Sequence, residues 1–264
     1  MRPTKVNQNS LKKDRALYLL EKHGLSPNKS LGQNFLLDEN VLDKIVAAAD
    51  VGPDDNVIEV GPGLGVLTRK LAERAKHVTA IELDRGLVAL LERENEQLEN
   101  VNFIHQDALK YDPPAIAYKL VANIPYYITS PLISHFLMAE NRPTKMVLLM
   151  QKEVAEKICA EDGKLNVLAL HVQIFGKPRI VAQVSPGAFY PEPNVDSSVL
   201  EIDVFSEPVV KDYMSLYKII HRAFSQKRKK LTNTLPEMKD KLIELGLGSL
   251  RPERLSIGDW KRLM

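Results

Sequence analysis

The residues best suited to chemistry in this chain are Asn123-Ile124-Pro125-Tyr126, which close an apolar run, Leu120 to Ala122, with an amide, a rigid turn and an aromatic ring. That set can hold a flat base carrying an exocyclic amino group. The lone pair of such a nitrogen, as on adenine N6, is delocalised into the ring, so a site that methylates it must draw the pair back onto nitrogen. Two acceptors on the amino hydrogens do so. The Asn123 side-chain oxygen and the Ile124 carbonyl can supply them, with Pro125 fixing φ and aiming the carbonyl, while Tyr126 stacks on the base face. Taken alone, the four residues also describe a strand end followed by an ordinary proline turn, so their neighbours decide.

The elements that must position them read as follows. Asn56 to Val60 is a short buried strand that runs into Gly61-Pro62-Gly63-Leu64-Gly65, and Val66 to Arg74 is helical. A strand, a glycine loop and a helix form the first unit of a doubly wound sheet, in which glycines let backbone amides approach a cofactor at the helix N-terminus. His77 to Glu82 is the second strand, and Glu82, about 20 residues past the loop, ends it with a carboxylate suited to a ribose diol. Nicotinamide and S-adenosyl-L-methionine both carry that diol. The spacing Gly-x-Gly-x-Gly, with Pro62 inside the loop, suits a methionyl moiety better than a pyrophosphate and favours the methyl donor. Arg85 to Glu94 is a helix, Val101 to His105 the third strand, and Asp107 follows at its end, placed either to accept from an adenine amino group or to cap a turn. Lys119 to Ala122 is the fourth strand and delivers Asn123. Glu59, Gly61, Glu82, Asp107 and Asn123 therefore all fall at strand ends, where open sheets bind ligands.

The remaining chain supplies flanks. Leu11, Ala16, Leu17 and Leu20 mark a short amphipathic helix ending at Gly24, read as an appendage. Ser30 to Leu36 has no clear period and could lie across a ligand; Asp38 caps a helix to about Ala49. Thr129 to Ala139 is helical, Lys145 to Met150 a strand, Gln151 to Cys159 and Asn166 to Ile174 helices, and Arg179 to Val184 a strand. A rigid Pro-rich loop, Ser185 to Pro193, offers Phe189 or Tyr190 to the second face of the base, or to the core, and leads to the alternating strand Ser197 to Val204. Phe205 to Pro208 reads as a domain boundary, with helices Asp212 to Phe224, Leu235 to Leu245 and a last segment ending at Trp260 beyond it. The expected organisation is a basic arm over residues 1–30, a Rossmann-like α/β domain over 31–205 and a small α-helical domain over 206–264.

Charge is unevenly spread. Residues 1–30 carry seven Lys and Arg against two acids, and residues 206–264 carry thirteen against seven, although the whole chain is only +2. The run Lys227-Arg228-Lys229-Lys230 can neutralise phosphates, with a salt-dependent affinity. Basic flanks around an acidic body suggest a polyanionic partner, while solvated helix faces are the plainer account. One cysteine, Cys159, excludes an internal disulfide and a multi-cysteine metal site. With no apolar run near the roughly 18 residues of a membrane span and no signal-peptide pattern, the expectation is a cytoplasmic, soluble protein without membrane or metal, and a monomer.

Together these stretches resemble the small-subunit (16S) ribosomal RNA adenine N6,N6-dimethyltransferase family over nearly the whole chain. Carrying the resemblance are Leu31-Gly32-Gln33-Asn34-Phe35-Leu36, Glu59-Val60-Gly61-Pro62-Gly63-Leu64-Gly65, Ile81-Glu82-Leu83-Asp84, Asn123 to Tyr126 with Thr129-Ser130-Pro131, and Phe189 to Ser197. The large-subunit RNA methylases of macrolide resistance share these motifs, but Tyr127 to Pro131 and Arg251-Pro252-Glu253-Arg254-Leu255-Ser256 look more like the small-subunit branch. The resemblance implies a class I methyltransferase fold and S-adenosyl-L-methionine contacts at Asn34, Leu36, Gly61, Glu82, Asp107 and Asn123, with Gly63 in the same loop. It implies as substrate two adjacent adenosines in a 3′-terminal hairpin, each dimethylated at N6 in a pre-30S particle. Val66 and a long N-terminal arm are slight departures. An assembly factor that binds RNA with methylation secondary, and a nicotinamide dehydrogenase, are the competing readings; the glycine spacing speaks against the latter.

Overall fold

The strand, glycine loop and helix that begin at Asn56 lie at the centre of a parallel sheet in the computed structural model, which describes residues 8–161 and 163–264, with side chains from residue 13 onward. The strands are β1 (Phe35–Leu36), β2 (Asn56–Val60), β3 (His77–Glu82), β4 (Val101–His105), β5 (Tyr118–Asn123), β6 (Lys145–Gln151), β7 (Gly176–Val184), β8 (Phe189–Tyr190) and β9 (Ser197–Val204). Seven form one sheet in the order β4-β3-β2-β5-β6-β9-β7, and β1 pairs with β8 in a separate ribbon. β4, β3, β2, β5 and β6 are mutually parallel. The chain winds outward from β2 through β3 to β4 and then returns to β5, so the winding direction reverses between β2 and β5. Ligands bind beyond the strand C-termini at such a switch point.

Parallel strands are covered on both faces, which is why Val57, Ile58 and Val60 of β2 and Leu120 to Ala122 of β5 are apolar and buried, with Glu59 the one polar residue among them. Helix α1 is Gln8–Lys22, α2 Glu39–Ala49, α3 Val66–Ala72, α4 Arg85–Glu94 and α5 Thr129–Met138. α2 presents Leu42, Ile45, Val46 and Ala49 to Val57, Val121, Val147 and Val199 in one core. Its start is fixed by Asp38, whose carboxylate accepts from the Asn40 and Val41 amides, and α4 starts in the same way at Asp84.

Compact packing divides the chain differently from the expected organisation. One unit runs to Lys152 and includes Ile180–Glu201, and the other holds Glu153–Arg179 and Ile202–Met264. The N-terminal helix is packed rather than appended: Ala16 and Leu20 are buried among Phe35, Leu37, Leu64, Leu87 and Leu90. Leu11 lies outside the residues whose side chains are described, and residues 1–7 of the expected arm lie outside the described residues altogether.

The second unit contains α7 (Val167–Phe175) and α8 (Tyr213–Phe224), together with α6 (Lys152–Ile158) but for its first residue. The pair explains why residues 153–179 belong here: Phe175 meets Tyr213 edge-on at 4.9 Å and His171 meets Tyr217 at 5.2 Å. The expected helix Leu235 to Leu245 is α-helical only over α10 (Lys239–Glu244): its start is a 3₁₀ turn, Pro236–Met238, separated from a short preceding helix, α9 (Leu231–Thr234), and α11 (Ile257–Arg262) follows. Pro236 is the reason for the separation. It has no N–H to donate and pushes Leu235 out of the helical region, to φ −129 and ψ 62.

Burial of His171 has a consequence for stability. Its Nε2 has no partner among the described residues, and burial, reinforced by His221, lowers its pKa from 6.5 to about 4. The unfolded chain takes up this proton near pH 6.5 and the folded chain does not, so stability is complete above pH 6.5 and falls as pH drops toward 4. At pH 5 the expected loss is about 2 kcal/mol. Urea unfolding at pH 7.5 and pH 5 should show that loss in the wild type and a smaller one in His171→Leu; equal pH dependence in both would refute the assignment.

Candidate active site

The three glycines after β2 set the shape of the site. Gly61, Gly63 and Gly65 all have left-handed φ, at 73°, 59° and 72°, which only glycine adopts without strain. Space is equally restrictive. A Cβ on Gly61 would stand 3.3 Å from the Asn123 carbonyl, and one on Gly63 would stand 2.9 Å from the Phe35 ring. The loop thus brings the ends of β2 and β5 together and lays Phe35 directly on Gly63.

Beyond these strand ends lies a cavity of about 270 Å³. Its walls include Asn34, Leu36, Gly61, Gly63, Glu82, Asp107, Asn123, Ile124, Tyr126 and Phe189, which brings together the cofactor and base residues read from the sequence except the alternative Tyr190. All of them belong to the first unit. Lys227, Arg228, Lys229 and Lys230 lie in the second unit, exposed in the turn between α8 and α9, with Lys230 directly before α9.

Glu82 is 8 % exposed and heavily engaged. Oε1 accepts from the Leu83 and Asp84 amides at 2.9 and 3.0 Å, and Oε2 accepts from the Gly63 amide at 3.3 Å. Burial raises its pKa, and these three amides pull against that shift. Glu59 is more isolated. It is 1 % exposed, its Oε2 has no partner among the described residues, and burial, opposed by Thr68 and reinforced by repulsion from Glu82, raises its pKa to about 8. In the sequence Glu59 stands out only by its place near a strand end and at the head of the glycine-loop motif, because its burial depends on non-local packing.

At the end of β5 the Asn123 amide nitrogen donates to the Asn34 carbonyl at 3.0 Å. That bond fixes which end of the amide is which: the nitrogen must face the carbonyl, and the oxygen remains an acceptor. The Ile124 amide donates to the Leu149 carbonyl at 3.0 Å, anchoring the turn to β6. Tyr126 hydroxyl and Ser197 hydroxyl are 2.8 Å apart, and burial raises the Tyr126 pKa. Ser197, a fully buried residue at the start of β9, was not singled out from sequence; nothing local marks a serine as the anchor of a tyrosine 71 positions earlier.

The structure places two residues whose roles the sequence leaves open. Asp107 lines the cavity and also accepts from the Leu109 amide at 3.0 Å, starting a 3₁₀ turn. Phe189 lines the cavity while only 1 % exposed, whereas its strand neighbour Tyr190 is absent from the cavity wall and packs toward the Ala16, Leu20 and Phe35 cluster. Successive strand residues face opposite ways, and the pairing of Leu36 with Phe189 and of Phe35 with Tyr190 holds both in register.

These residues fit S-adenosyl-L-methionine. Glu82 can receive a ribose diol, the left-handed glycine loop leaves room that any Cβ would fill, and the unpartnered Glu59 oxygen offers a buried acceptor to a cationic amino group.

Comparison with known proteins agrees. A model of the ribosomal RNA adenine dimethylase family matches residues 24–245. A protein of Dehalococcoides mccartyi named ribosomal RNA small subunit methyltransferase A is 41 % identical over 93 % of this chain and 90 % of its own length. A protein of the same name from Clostridium botulinum is 40 % identical over 93 % and 95 %. Among solved structures, a dimethyladenosine transferase from Plasmodium falciparum superposes with a TM-score of 0.80 at 27 % identity, covering 87 % of this chain and 95 % of that one. The 23S rRNA methyltransferase ErmE gives 0.75 at 27 %, covering 87 % and 98 %. The sheet order is thus that of a Rossmann-like methyltransferase, and the chain belongs to the ribosomal RNA adenine dimethylase family.

Proposed function

We propose that this enzyme dimethylates N6 of two adjacent adenosines in the 3′-terminal hairpin loop of small-subunit ribosomal RNA, acting as a monomer on a pre-30S particle in the cytoplasm. At the coarser level it is an S-adenosyl-L-methionine-dependent ribosomal RNA adenine dimethyltransferase, as its family and its relatives' names agree. The observation that carries the finer reading of the site is the bond from the Asn123 amide nitrogen to the Asn34 carbonyl, which leaves the side-chain oxygen as an acceptor at the cavity.

S-adenosyl-L-methionine, when bound, supplies an electrophilic methyl group. Asn34, Leu36, Gly61, Gly63, Glu82 and Asp107 would hold it, with Asn123 at the border with the base. Asn123 Oδ1 and the Ile124 carbonyl take hydrogen bonds from the amino hydrogens and concentrate the lone pair on N6. Tyr126, steadied by Ser197, stacks on one face of the base and Phe189 borders the other. A neutral amide suits the second transfer as well, since a monomethylated nitrogen still has one hydrogen to give. Proton loss follows methylation, when the nitrogen has become acidic, so no strong general base is needed. The cations Lys227 to Lys230 meet RNA phosphate.

Labelled methyl transfer to unmethylated small subunits, mapped by reverse-transcriptase stops, tests this reading. Two adjacent stops in the 3′-terminal hairpin are expected. Stops in large-subunit RNA would move the chain to the other branch of its family, and particle binding without transfer would favour the assembly-factor reading.

A further inference from the structure

Tyr127 lies next to the base-stacking Tyr126, yet its environment is opposite. It is 57 % exposed, while still forming part of the cavity wall. An exposed tyrosine on a mobile loop would mean little, but this one is held. The 3₁₀ turn Tyr126–Ile128 is closed by the Ile128 amide bonding to the Pro125 carbonyl at 3.1 Å, and is tied to α5 by the Thr129 hydroxyl bonding to the Tyr126 carbonyl at 3.2 Å. The ring rests against Gly32: a Cβ there would stand 3.7 Å from both Cδ1 and Cε1. Gly32 itself is held at φ 63°, its amide bonded to the Lys29 carbonyl. The Cδ1–Cε1 edge of the ring is therefore held close to the Gly32 backbone, while more than half of the residue stays exposed beside the cavity.

We propose that Tyr127 is a positioning residue for RNA, a platform on which the nucleotide flanking the target adenosine stacks while the target occupies the cavity. The inference rests on the RNA-methylating function above. Extracting one base from a stacked loop leaves its neighbour with an uncovered face, and a rigid aromatic ring at the entrance replaces the lost stacking partner. Stacking tolerates any base, so the same platform serves whichever of two adjacent adenosines is being modified. Lys29 is exposed in the same short turn that ends at Gly32, and its cation can meet the accompanying phosphate.

The test is steady-state methyl transfer with unmethylated small subunits, alongside S-adenosyl-L-methionine binding by calorimetry. Tyr127→Ala should raise KM for the particle about tenfold, the usual scale of one lost base-aromatic stack, with kcat within about twofold and cofactor Kd unchanged. Tyr127→Phe should restore the wild-type KM, because the ring face and not the hydroxyl is used. A wild-type KM in Tyr127→Ala would overturn the proposal, as would equal losses in the Ala and Phe variants or a weakened cofactor Kd, which would make Tyr127 part of the cofactor site. Failure of the wild-type chain to methylate small subunits is a separate result and would remove the underlying function together with the platform.

Discussion

Asn123→Ala is expected to lower kcat for methyl transfer by about 10²- to 10³-fold, the range seen when one pre-aligned hydrogen-bonding group is removed from a reacting centre. The side chain has two ends and both have work. Its nitrogen donates to the Asn34 carbonyl, and its oxygen is, in the proposed mechanism, the acceptor for the amino hydrogens of the base. Without that acceptor the N6 lone pair stays in the ring, and the second transfer suffers more, because the monomethylated amine has a single hydrogen left to orient. The residual product should therefore be enriched in monomethyladenine. Asn123→Asp keeps an acceptor but loses the donor to Asn34 and sets a carboxylate oxygen against that carbonyl, so it should also fall well below wild type. The measurement is single-turnover methylation with product ratio by mass spectrometry, beside a melting curve to show that the variant folds. Wild-type turnover with an unchanged ratio in Asn123→Ala would end the assignment.

Much of this site was legible because the signals that place it are local. Asn56 to Val60, His77 to Glu82 and Val101 to His105 are short segments rich in Val, Ile and other strand formers, and their bounds in the structure are those read from the sequence. In a parallel sheet every strand must end at the same crevice, so reading the strand ends is nearly equivalent to reading the site: Gly61, Glu82, Asp107 and Asn123 share one cavity for that reason. What was illegible depends on partners distant in sequence. β1 and β8 are two residues each, too short for any period, and exist only because Phe35 and Leu36 find Tyr190 and Phe189. The same holds for Phe35 resting on Gly63, for Ser197 anchoring Tyr126, and for residues 153–179 joining the C-terminal helices through His171 and Phe175. The break at Pro236 is a different case: its cause stands in the sequence, but the apolar period of Leu235 to Leu245 masks it.

The second large effect is expected at Glu82, where Glu82→Ala should raise the Kd for S-adenosyl-L-methionine about 100-fold or more. Two losses combine. In the proposed site the carboxylate is the acceptor for the ribose diol, and hydrogen bonds to a charged group contribute about 1.5 to 3 kcal/mol each. It is also the acceptor for the Leu83, Asp84 and Gly63 amides, so its removal leaves buried donors unmatched and frees the glycine loop that faces the cofactor. Glu82→Gln should fall between wild type and Ala, since it keeps one acceptor oxygen but turns an amino group toward amides that need an acceptor. Calorimetry gives Kd directly, and thermal unfolding gives an independent reading. At a cofactor concentration 100 times the wild-type Kd, the stabilisation of about 2.7 kcal/mol in the wild type should shrink to about 0.4 kcal/mol in a variant bound 100-fold more weakly. A Glu82→Ala protein that melts cooperatively and binds within about threefold of wild type would show that neither the diol contact nor the bracing of the Gly63 loop depends on this carboxylate.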